Sequence, residues 1–443
     1  MGQIMNSKFL AFSFLAAILA SPTTSSDRPY REAALGAAHW LQTTEITQKT
    51  GVVWPADPAE PKSVNTSLYA GTPGPILFFL EAYHYTGNKA YLDQARSGAD
   101  ALLASISKDD QPGLYEGLAG SGFTLGETYL ITKDKKYLDG AVQCVAWLKE
   151  KSQKTPKGIQ FSTMTDIIGG NAGTGLFLLW AANELHADNA RDLAIADGEA
   201  LIESGLPQPN GGLKWMMDPS YPREMPNFSH GTAGVAYFLA TLYQQTKQKE
   251  FLDAAEAGAN YLLSIREQDP NICLIYHDDD RKKLFYLSWC HGPAGTARLF
   301  YRLYEDTGDK TWLDWAVKCA GALIANDAPQ RVVSPGEWNN ISMCCGVAAQ
   351  SEFFYDLYRV TKQKQYLDLA KKGSDRLIAQ ATSDASGTRW VQVETRVRPD
   401  VALAQTGYMQ GASGVGMWLL HFDAGLRNEK KPAVLFPDNP FDF

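Results

Sequence analysis

The chain has 443 residues, of which 45% are hydrophobic and 20% charged, so its composition is that of a globular protein and not of a disordered or fibrous one. Its acidic residues outnumber its basic ones, for a formal net charge of −8 at pH 7. An extended basic surface for nucleic acid is therefore not expected.

The chain begins with a segment typical of secretory signal peptides. Lys8 precedes an apolar run from Phe9 to Ala20, and small and polar residues follow. The run is too short to span a bilayer comfortably. We therefore expect residues 1–22 to be a signal peptide and the mature protein to be secreted or periplasmic, with no stable membrane insertion after cleavage. Export to an oxidising compartment would also permit disulfides.

A ten-residue phrase recurs along the rest of the chain. Each copy opens with a turn or cap, places an aromatic at the start of an apolar helical period and continues with alanine and leucine. The clear copies are TGNKAYLDQA from Thr86, TKDKKYLDGA from Thr132, TKQKEFLDAA from Thr246, TGDKTWLDWA from Thr307 and TKQKQYLDLA from Thr361. SSDRPYREAA from Ser25 resembles a sixth copy, and ADNARDLAIA from Ala187 a degenerate seventh.

A glycine-containing phrase alternates with the first one and also occurs seven times. Its copies are YAGTPGP at Tyr69, YEGLAGS at Tyr115, IGGNAGT at Ile168, SHGTAGV at Ser229, CHGPAGT at Cys290, CCGVAAQ at Cys344 and MQGASGV at Met409. Each copy leads into a helical pattern. Two helices per repeat, seven times over, predict fourteen helices and almost no strand.

The two kinds of helix differ in composition. Helices that follow the glycine phrase are rich in Gly, Ala, Leu and Phe and poor in charge, which predicts an inner ring surrounded by the more charged helices. Polar end caps, which an open stack of repeats would need, are not evident. The sequence therefore predicts an all-α fold, a closed sevenfold α/α toroid over residues 27–430, with residues 431–443 as a C-terminal tail.

In such a toroid the seven glycine turns meet at one end of the ring. The residues just before the glycines are polar or thiol-bearing in three consecutive repeats: His230, then Cys290 with His291, then Cys344 with Cys345. Three cysteines and two histidines on adjacent turns can meet at one point, as a tetrahedral zinc site requires. Neighbouring side chains at a turn can both reach one metal ion, with water or substrate as the fourth ligand.

Other interpretations of the cysteines remain open at this stage. Cys344 and Cys345 could form a strained vicinal disulfide, and Cys290 could pair with either of them. Cys144 and Cys319 lie in outer helices at alanine-rich positions and are expected to be small buried apolar residues. Cys273, in the loop DPNICLIYH, has no evident partner.

Four motifs together resemble the signature of the lanthionine synthetase C-like (LanC-like) family. They are SHGTAGVA, SWCHGPAGTA, MCCGVAAQ and GYMQGASGVG, in that order, and TDIIGGNAGTGLFLL resembles an earlier family motif that carries a functional aspartate, here Asp166. The resemblance covers essentially the whole mature chain, and the family fold is a sevenfold double ring of helices.

The resemblance implies one zinc ion per chain, held by Cys290, Cys344 and Cys345 in the manner of the three-thiolate subset of the family. It also implies a chemistry: a zinc-activated substrate thiolate attacks a dehydroalanine or dehydrobutyrine to form a thioether. His230, with Asp166 beside it, matches the positions that perform acid–base work in the family. The implied partner is a peptide or small molecule that has a thiol and an unsaturated amino acid.

Two positions differ from the common family pattern. Family cyclases commonly have a tyrosine directly after the zinc-binding cysteine, where this chain has His291, and many have an arginine four residues before that cysteine, where it has Tyr286. His291 is therefore a candidate for a catalytic cationic donor or for an extra metal ligand.

Two other functions are compatible with the sequence. One is a metal-independent carbohydrate-active toroid, because Trp215, Trp289, Glu116 and Asp166 could line a sugar-binding cavity. The other is a non-catalytic binding protein in which zinc is purely structural.

Overall fold

The computed structural model describes residues 27–221, 223–331, 340–393, 398 and 400–441. The signal peptide expected at residues 1–22 lies outside the described residues, so its cleavage and the export of the protein stay predictions.

Fourteen α-helices in the described part of the chain alternate between an inner and an outer ring, as the repeats predict. The inner helices are α2 (Pro73–Thr86), α4 (Leu118–Thr132), α6 (Asn171–Glu184), α8 (Thr232–Thr246), α10 (Pro293–Thr307), α12 (Val347–Thr361) and α14 (Ala412–Leu426). The outer helices are α1 (Pro29–Thr44), α3 (Lys89–Leu103), α5 (Lys135–Lys151), α7 (Ala190–Ser204), α9 (Lys249–Ile265), α11 (Lys310–Ala325) and α13 (Lys364–Gln380).

The toroid is closed, as predicted. Each of the first six inner helices packs on the outer helix that follows it, and α1 at the start of the chain packs on α14, the seventh inner helix, at its end. Helix α14 in turn contacts α2, so the inner ring has no open edge. The two weaker copies of the first phrase also lead into outer helices: α1 begins within the copy from Ser25, at Pro29, and α7 begins within the copy from Ala187, at Ala190.

The segments between helices contain short strands that the sequence did not predict. They are β1 (Ile46–Gln48), β2 (Gly51–Val53), β3 (Gln153–Lys154), β4 (Ile159–Gln160), β5 (Leu206–Pro207), β6 (Leu213–Lys214), β7 (Thr382–Asp384), β8 (Gly387–Arg389), β9 (Val391–Val393) and β10 (Ala402–Ala404). They form five two-stranded antiparallel pairs, four of which directly follow an outer helix. Segments of two or three residues are too short for an alternating pattern to be visible in the sequence.

The first repeated phrase encodes the turn between an inner and an outer helix. Thr86 ends α2, Gly87 adopts a left-handed conformation with φ of 69°, and the Asn88 side chain caps α3 by accepting from the Ala90 amide. Asp134 and Asp309 cap α5 and α11 in the same way. A side-chain acceptor at this position satisfies an otherwise unpaired amide at the start of each outer helix.

The seven glycine turns are joined by a closed circle of backbone hydrogen bonds, which we call the axial ring. Six of its seven members contribute both their amide and their carbonyl, with N···O distances of 2.9–3.2 Å. The bonds run from the amide of one turn to the carbonyl of the next: Tyr69 to Tyr115, Tyr115 to Ile168, Ile167 to Ser229, Ser229 to Cys290, Cys290 to Cys344, Cys344 to Met409 and Met409 to Tyr69. Each glycine turn is therefore held by the turns on both sides of it.

Glycine is required where the axial ring meets the inner helices, because the preceding loop lies against it. A Cβ atom at Gly231 would come within 1.6 Å of the Met225 carbonyl oxygen, and one at Gly346 within 2.3 Å of the Asn340 carbonyl oxygen. Backbone atoms cannot give way as a flexible side chain can. The spacing of the glycine phrase is thus a packing requirement of the ring.

The C-terminal segment, residues 432–441, fills the centre of the inner ring. Its Asp438 side chain is fully buried and accepts hydrogen bonds from Tyr115, Trp289 and Arg298 at 2.9–3.2 Å. The Phe441 ring stacks on Tyr301 of α10 with centroids 4.4 Å apart. The segment therefore forms the floor beneath the axial ring, directly below the turn that carries Cys290.

The two adjacent glycines of the third turn offer a matched test of this packing. A Cβ at Gly170 would meet backbone atoms at 2.4–2.8 Å, whereas one at Gly169 would meet only the Met164 side chain, at 3.3 Å or more. We expect Gly170→Ala to destabilise the fold by about 3 kcal/mol and Gly169→Ala to change stability by less than about 1 kcal/mol. Urea unfolding of both variants measures the difference, and equal stability of the two would contradict the packing argument.

Candidate metal centre

Three cysteine thiols meet at one point on the axial ring. The Cys290 amide donates to the Cys344 carbonyl at 3.1 Å, which holds the fifth and sixth turns side by side. The Cys345 sulfur lies 3.1 Å from the sulfurs of both Cys290 and Cys344, and all three sulfurs lie within 4.8 Å of one another. Each cysteine is only 4% exposed. No other cluster of His, Cys, Asp or Glu among the described residues meets the same spacing.

This donor set fits a zinc ion. Sulfur ligands on a tetrahedral zinc, at about 2.3 Å from the metal, are about 3.8 Å apart. The observed sulfur separations differ from that value by about 1 Å or less, so small side-chain rotations are enough to bring the three sulfurs into place. Three protein ligands leave one position open for an exogenous ligand, as in catalytic zinc sites.

The electrostatics of the cluster also favour a cation. Burial opposes ionisation of all three thiols, yet hydrogen bonds from Cys290, Cys345 and Tyr69 and the charge of His230 hold the pKa of Cys344 well below its usual value. Burial and the neighbouring sulfur groups raise the pKa of Cys290 and of Cys345. A single thiolate is therefore stable in this pocket, and three together need the charge of a bound metal.

Tyr69 and Gln410 complete the surroundings of Cys344, and sequence reasoning missed the role of Tyr69. Its hydroxyl donates to the Cys344 sulfur at 3.2 Å and accepts from the Gln410 side-chain amide at 3.0 Å. Hydrogen bonds to a ligand sulfur orient the ligand and tune the metal. Tyr69 occupies the same position of the first glycine phrase as Cys344 does in the sixth, which is the signal that could have identified it.

His230 and Asp166 form a dyad beside the cysteines, as the sequence suggested. His230 Nδ1 lies 2.5 Å from Asp166 Oδ2, and the other Asp166 oxygen accepts from the Gly169 amide at 3.0 Å. Burial lowers the pKa of His230, but the hydrogen bond and charge of Asp166 more than compensate, so its pKa is raised overall. The His230 side chain is 27% exposed while Asp166 is fully buried, so the imidazole is the accessible partner.

His291 lies between two other imidazoles. Its ring centroid is 5.4 Å from that of His230 and 4.2 Å from that of His277, a residue that sequence reasoning missed. Burial, together with the charges of His277, His230 and Arg281, lowers the pKa of His291 well below its usual value. A neutral imidazole is favoured, and no nitrogen of His291 belongs to the three-sulfur group. Both expected roles of His291, cationic donor and metal ligand, stay predictions.

Tyr286 and His277 form the wall behind His291. Their rings are 4.3 Å apart, and His277 Nδ1 is fixed by Asp278 Oδ2 at 2.6 Å. Both residues belong to the segment between α9 and α10. In the sequence His277 directly precedes the charged run DDDRKK and belongs to neither repeated phrase, so only the fold reveals that it reaches the site.

The structure is less favourable to the carbohydrate-active interpretation. Trp215 and Trp289 are buried in the packing of the rings, where their indole nitrogens bond to the Leu201 carbonyl and to Asp438. The Asp166 carboxylate contacts His230, and Glu116 is the one exposed residue of these four. These four residues therefore do not offer aromatic platforms and a pair of free carboxylates to one open cavity.

The disulfide interpretations of the site also differ from the structure. The sulfurs of Cys290, Cys344 and Cys345 converge at non-bonded separations, with Cys345 3.1 Å from each of the other two. Their convergence from two turns of the ring is explained by a shared metal ion and needs no bond between sulfurs.

Comparison with known proteins supports the fold and identifies the family. The family model of lanthionine synthetase C-like proteins matches residues 62–436, and the chain belongs to this family. It is 21% identical over 304 residues to glutathione S-transferase LANCL1 of Danio rerio, an alignment that covers 68% of this chain and 71% of that protein.

Solved structures with the same architecture include nisin cyclase, with a TM-score of 0.63 and 18% identity over 89% of this chain and 94% of that one. An inactive variant of an α-1,6-mannanase from Salegentibacter sp. has a TM-score of 0.50 and 14% identity over 90% of this chain and 99% of that one. Both likenesses support the toroidal fold. Within the described residues, every helix is too short or too polar to cross a membrane.

The three-cysteine site makes a direct prediction about metal content. Cys344→Ala and Cys345→Ala each remove one of three converging sulfurs, so each variant should lose the zinc that the wild-type protein binds at about one ion per chain. Cys144→Ala, which changes a buried thiol in α5, is the matched control and should keep its zinc. The zinc content of the purified proteins is measured by mass spectrometry. Full zinc in both site variants would contradict the three-cysteine zinc site.

Proposed function

We propose that this protein is an exported zinc-dependent enzyme that adds a thiolate to an α,β-unsaturated amino acid and so forms a thioether. The observation that carries the proposal is the placement of the His230–Asp166 dyad beside three converging cysteine sulfurs on one end of the toroid. A soft metal site with an open position and a nearby acid–base group are the two requirements of this reaction.

Cys290, Cys344 and Cys345 would hold the zinc. When bound, the ion would supply the positive charge that keeps a substrate thiol ionised at neutral pH. A site with three thiolates is electron-rich, which lowers the Lewis acidity of the metal and favours a nucleophilic sulfur over a polarised carbonyl. Tyr69 would steady Cys344 through its hydroxyl, and the C-terminal segment would hold the Cys290 turn from below.

The proton balance assigns a role to His230. As the substrate sulfur bonds to the β-carbon of the dehydroamino acid, the electron pair of the double bond moves toward the α-carbon and carbonyl, which gives an enolate. His230, held at Nδ1 by Asp166, would deliver the proton on Nε2 to the α-carbon and take up the proton that the next thiol releases. The net reaction is thiol plus alkene to thioether, with no other reactant.

The names of two relatives suggest where the thiol comes from. A cyclase would join a thiol and an alkene within one peptide, and a glutathione S-transferase would use a separate small thiol. Either donor would place one sulfur in the open metal position. A dehydroalanine-containing peptide is therefore the electrophile to test first, with glutathione as the separate thiol and a cysteine in the same peptide as the alternative.

A purely structural zinc is the less favoured proposal. A structural site is closed by four protein ligands, and the described residues offer a group of three. His230 is held by Asp166 and remains partly exposed, which suits a group that meets substrate.

His230→Asn tests the chemical step separately from the metal. We expect turnover of a dehydroalanine peptide with a thiol to fall by about 10²- to 10⁴-fold, because the enolate loses its proton donor, while zinc content and unfolding midpoint stay at the wild-type values. Thioether product is measured by mass spectrometry under saturating thiol. His84→Asn, at a half-buried histidine in the last turn of α2 that contacts the Lys431 carbonyl, is the matched control and should keep full activity.

Two outcomes would overturn the proposal. Loss of zinc from His230→Asn would make the histidine a fourth ligand and the site structural. An equal thioether yield from the wild-type and His230→Asn enzymes, both with full zinc, would remove His230 from the reaction.

A further inference from the structure

Cys273 and Cys319 come together where the segment between α9 and α10 meets α11, and neither belongs to the three-cysteine group. Cys273 belongs to the segment between α9 and α10, and Cys319 lies in the middle of α11. The two residues are 1% and 0% exposed, respectively. Neither has a part in the proposed reaction.

The backbone brings the two residues within reach of a covalent bond. The Cys273 amide donates at 2.9 Å to the carbonyl of Lys318, the residue directly before Cys319. With standard bond lengths, this contact limits the separation of the two Cα atoms to about 7 Å, close to the range that disulfides span. Burial and the neighbouring Cys273 thiol raise the pKa of Cys319, which agrees with two side chains that lie close together.

The loop is packed closely on α11 around this pair. A Cβ atom at Gly321, one half-turn beyond Cys319, would come within 2.8 Å of the Asn271 carbonyl oxygen. Glycine at this position thus permits the loop backbone to approach the helix, and that approach brings Cys273 to Cys319.

Cys144 provides an internal comparison. It occupies the same position of its repeat as Cys319, twelve residues after the threonine that opens the phrase in TKDKKYLDGAVQC and TGDKTWLDWAVKC. Cys144 is also fully buried, and burial raises its pKa. No neighbouring thiol contributes to that rise. A cysteine at this position therefore does not require a partner, and only Cys319 has one.

We propose that Cys273 and Cys319 form a disulfide that fastens the α9–α10 segment to α11. Two S–H bonds break and one S–S bond forms, and the two protons and two electrons pass to an external disulfide such as oxidised glutathione, which becomes two thiols. Because the sulfurs are buried, the bond forms during folding.

The bond would stabilise one wall of the site. The α9–α10 segment continues from Cys273 to His277, whose ring packs on His291. Cross-linking the segment to α11 reduces the freedom of the unfolded chain and of this loop, so it should raise the unfolding temperature. The zinc thiols would remain reduced because the metal protects them, so a folded chain would hold three metal-bound sulfurs, one disulfide and one free thiol.

Peptide mapping tests the proposal. The full chain is produced with zinc in a bacterial host that has an oxidising cytoplasm, and is alkylated in denaturant, digested without reduction and analysed by mass spectrometry. We expect a peptide pair joined through Cys273 and Cys319, two hydrogens lighter than the sum of the reduced peptides, and an alkylated Cys144. A phosphine reductant should lower the unfolding temperature of the wild-type protein by a few degrees and leave Cys273→Ser unchanged.

Complete alkylation of both Cys273 and Cys319 in the wild-type protein would overturn the proposal, as would a cross-link from either residue to a different cysteine. The mapping needs no variant, so a failure of Cys273→Ser to fold would not affect the decision. Its result is also independent of enzymatic activity, so the disulfide and the proposed thioether chemistry can fail separately.

Discussion

The closed circle of seven backbone hydrogen bonds at the axis is the constraint on which the rest of the structure depends. Each turn of the circle receives and gives a bond, so the position of any one turn is set by its two neighbours. Glycine is needed after each turn because a side chain there would collide with the backbone of the loop that passes close to the inner helix. Because Cys290 and Cys344 are themselves members of the circle, the geometry that closes the toroid also places two of the three sulfurs.

A buried group of three thiols is costly unless a cation balances it. The pKa of Cys344 is lowered because Tyr69 and the adjacent thiols donate hydrogen bonds to its sulfur and His230 lies near. These groups stabilise one thiolate and not three. The protein therefore offers a site that is incomplete without a metal ion. The supporting groups come from the first, fourth, fifth and seventh repeats as well as the sixth, so the site exists only when the ring is closed.

The sequence was sufficient to predict the features that repeat. Periodicity located fourteen helices and their two rings, and the glycine register placed Cys290, Cys344 and Cys345 together, because a repeat fixes where equivalent residues lie. Features that occur once could not be predicted in this way. His277 reaches the site through an irregular segment, Cys273 meets Cys319 through a loop-to-helix contact, and Asp438 enters the ring from a terminal segment whose burial leaves no periodic signal.

The coordination of the metal tests the central claim most directly. X-ray absorption at the zinc edge of the purified protein should show three sulfur ligands at about 2.3 Å and one lighter ligand, and addition of a thiol substrate should replace the lighter ligand by a fourth sulfur. That exchange would establish an open metal position that a substrate sulfur enters. A coordination sphere that is unchanged by saturating thiol, or one that lacks three sulfur ligands from the start, would contradict a thiol-activating site.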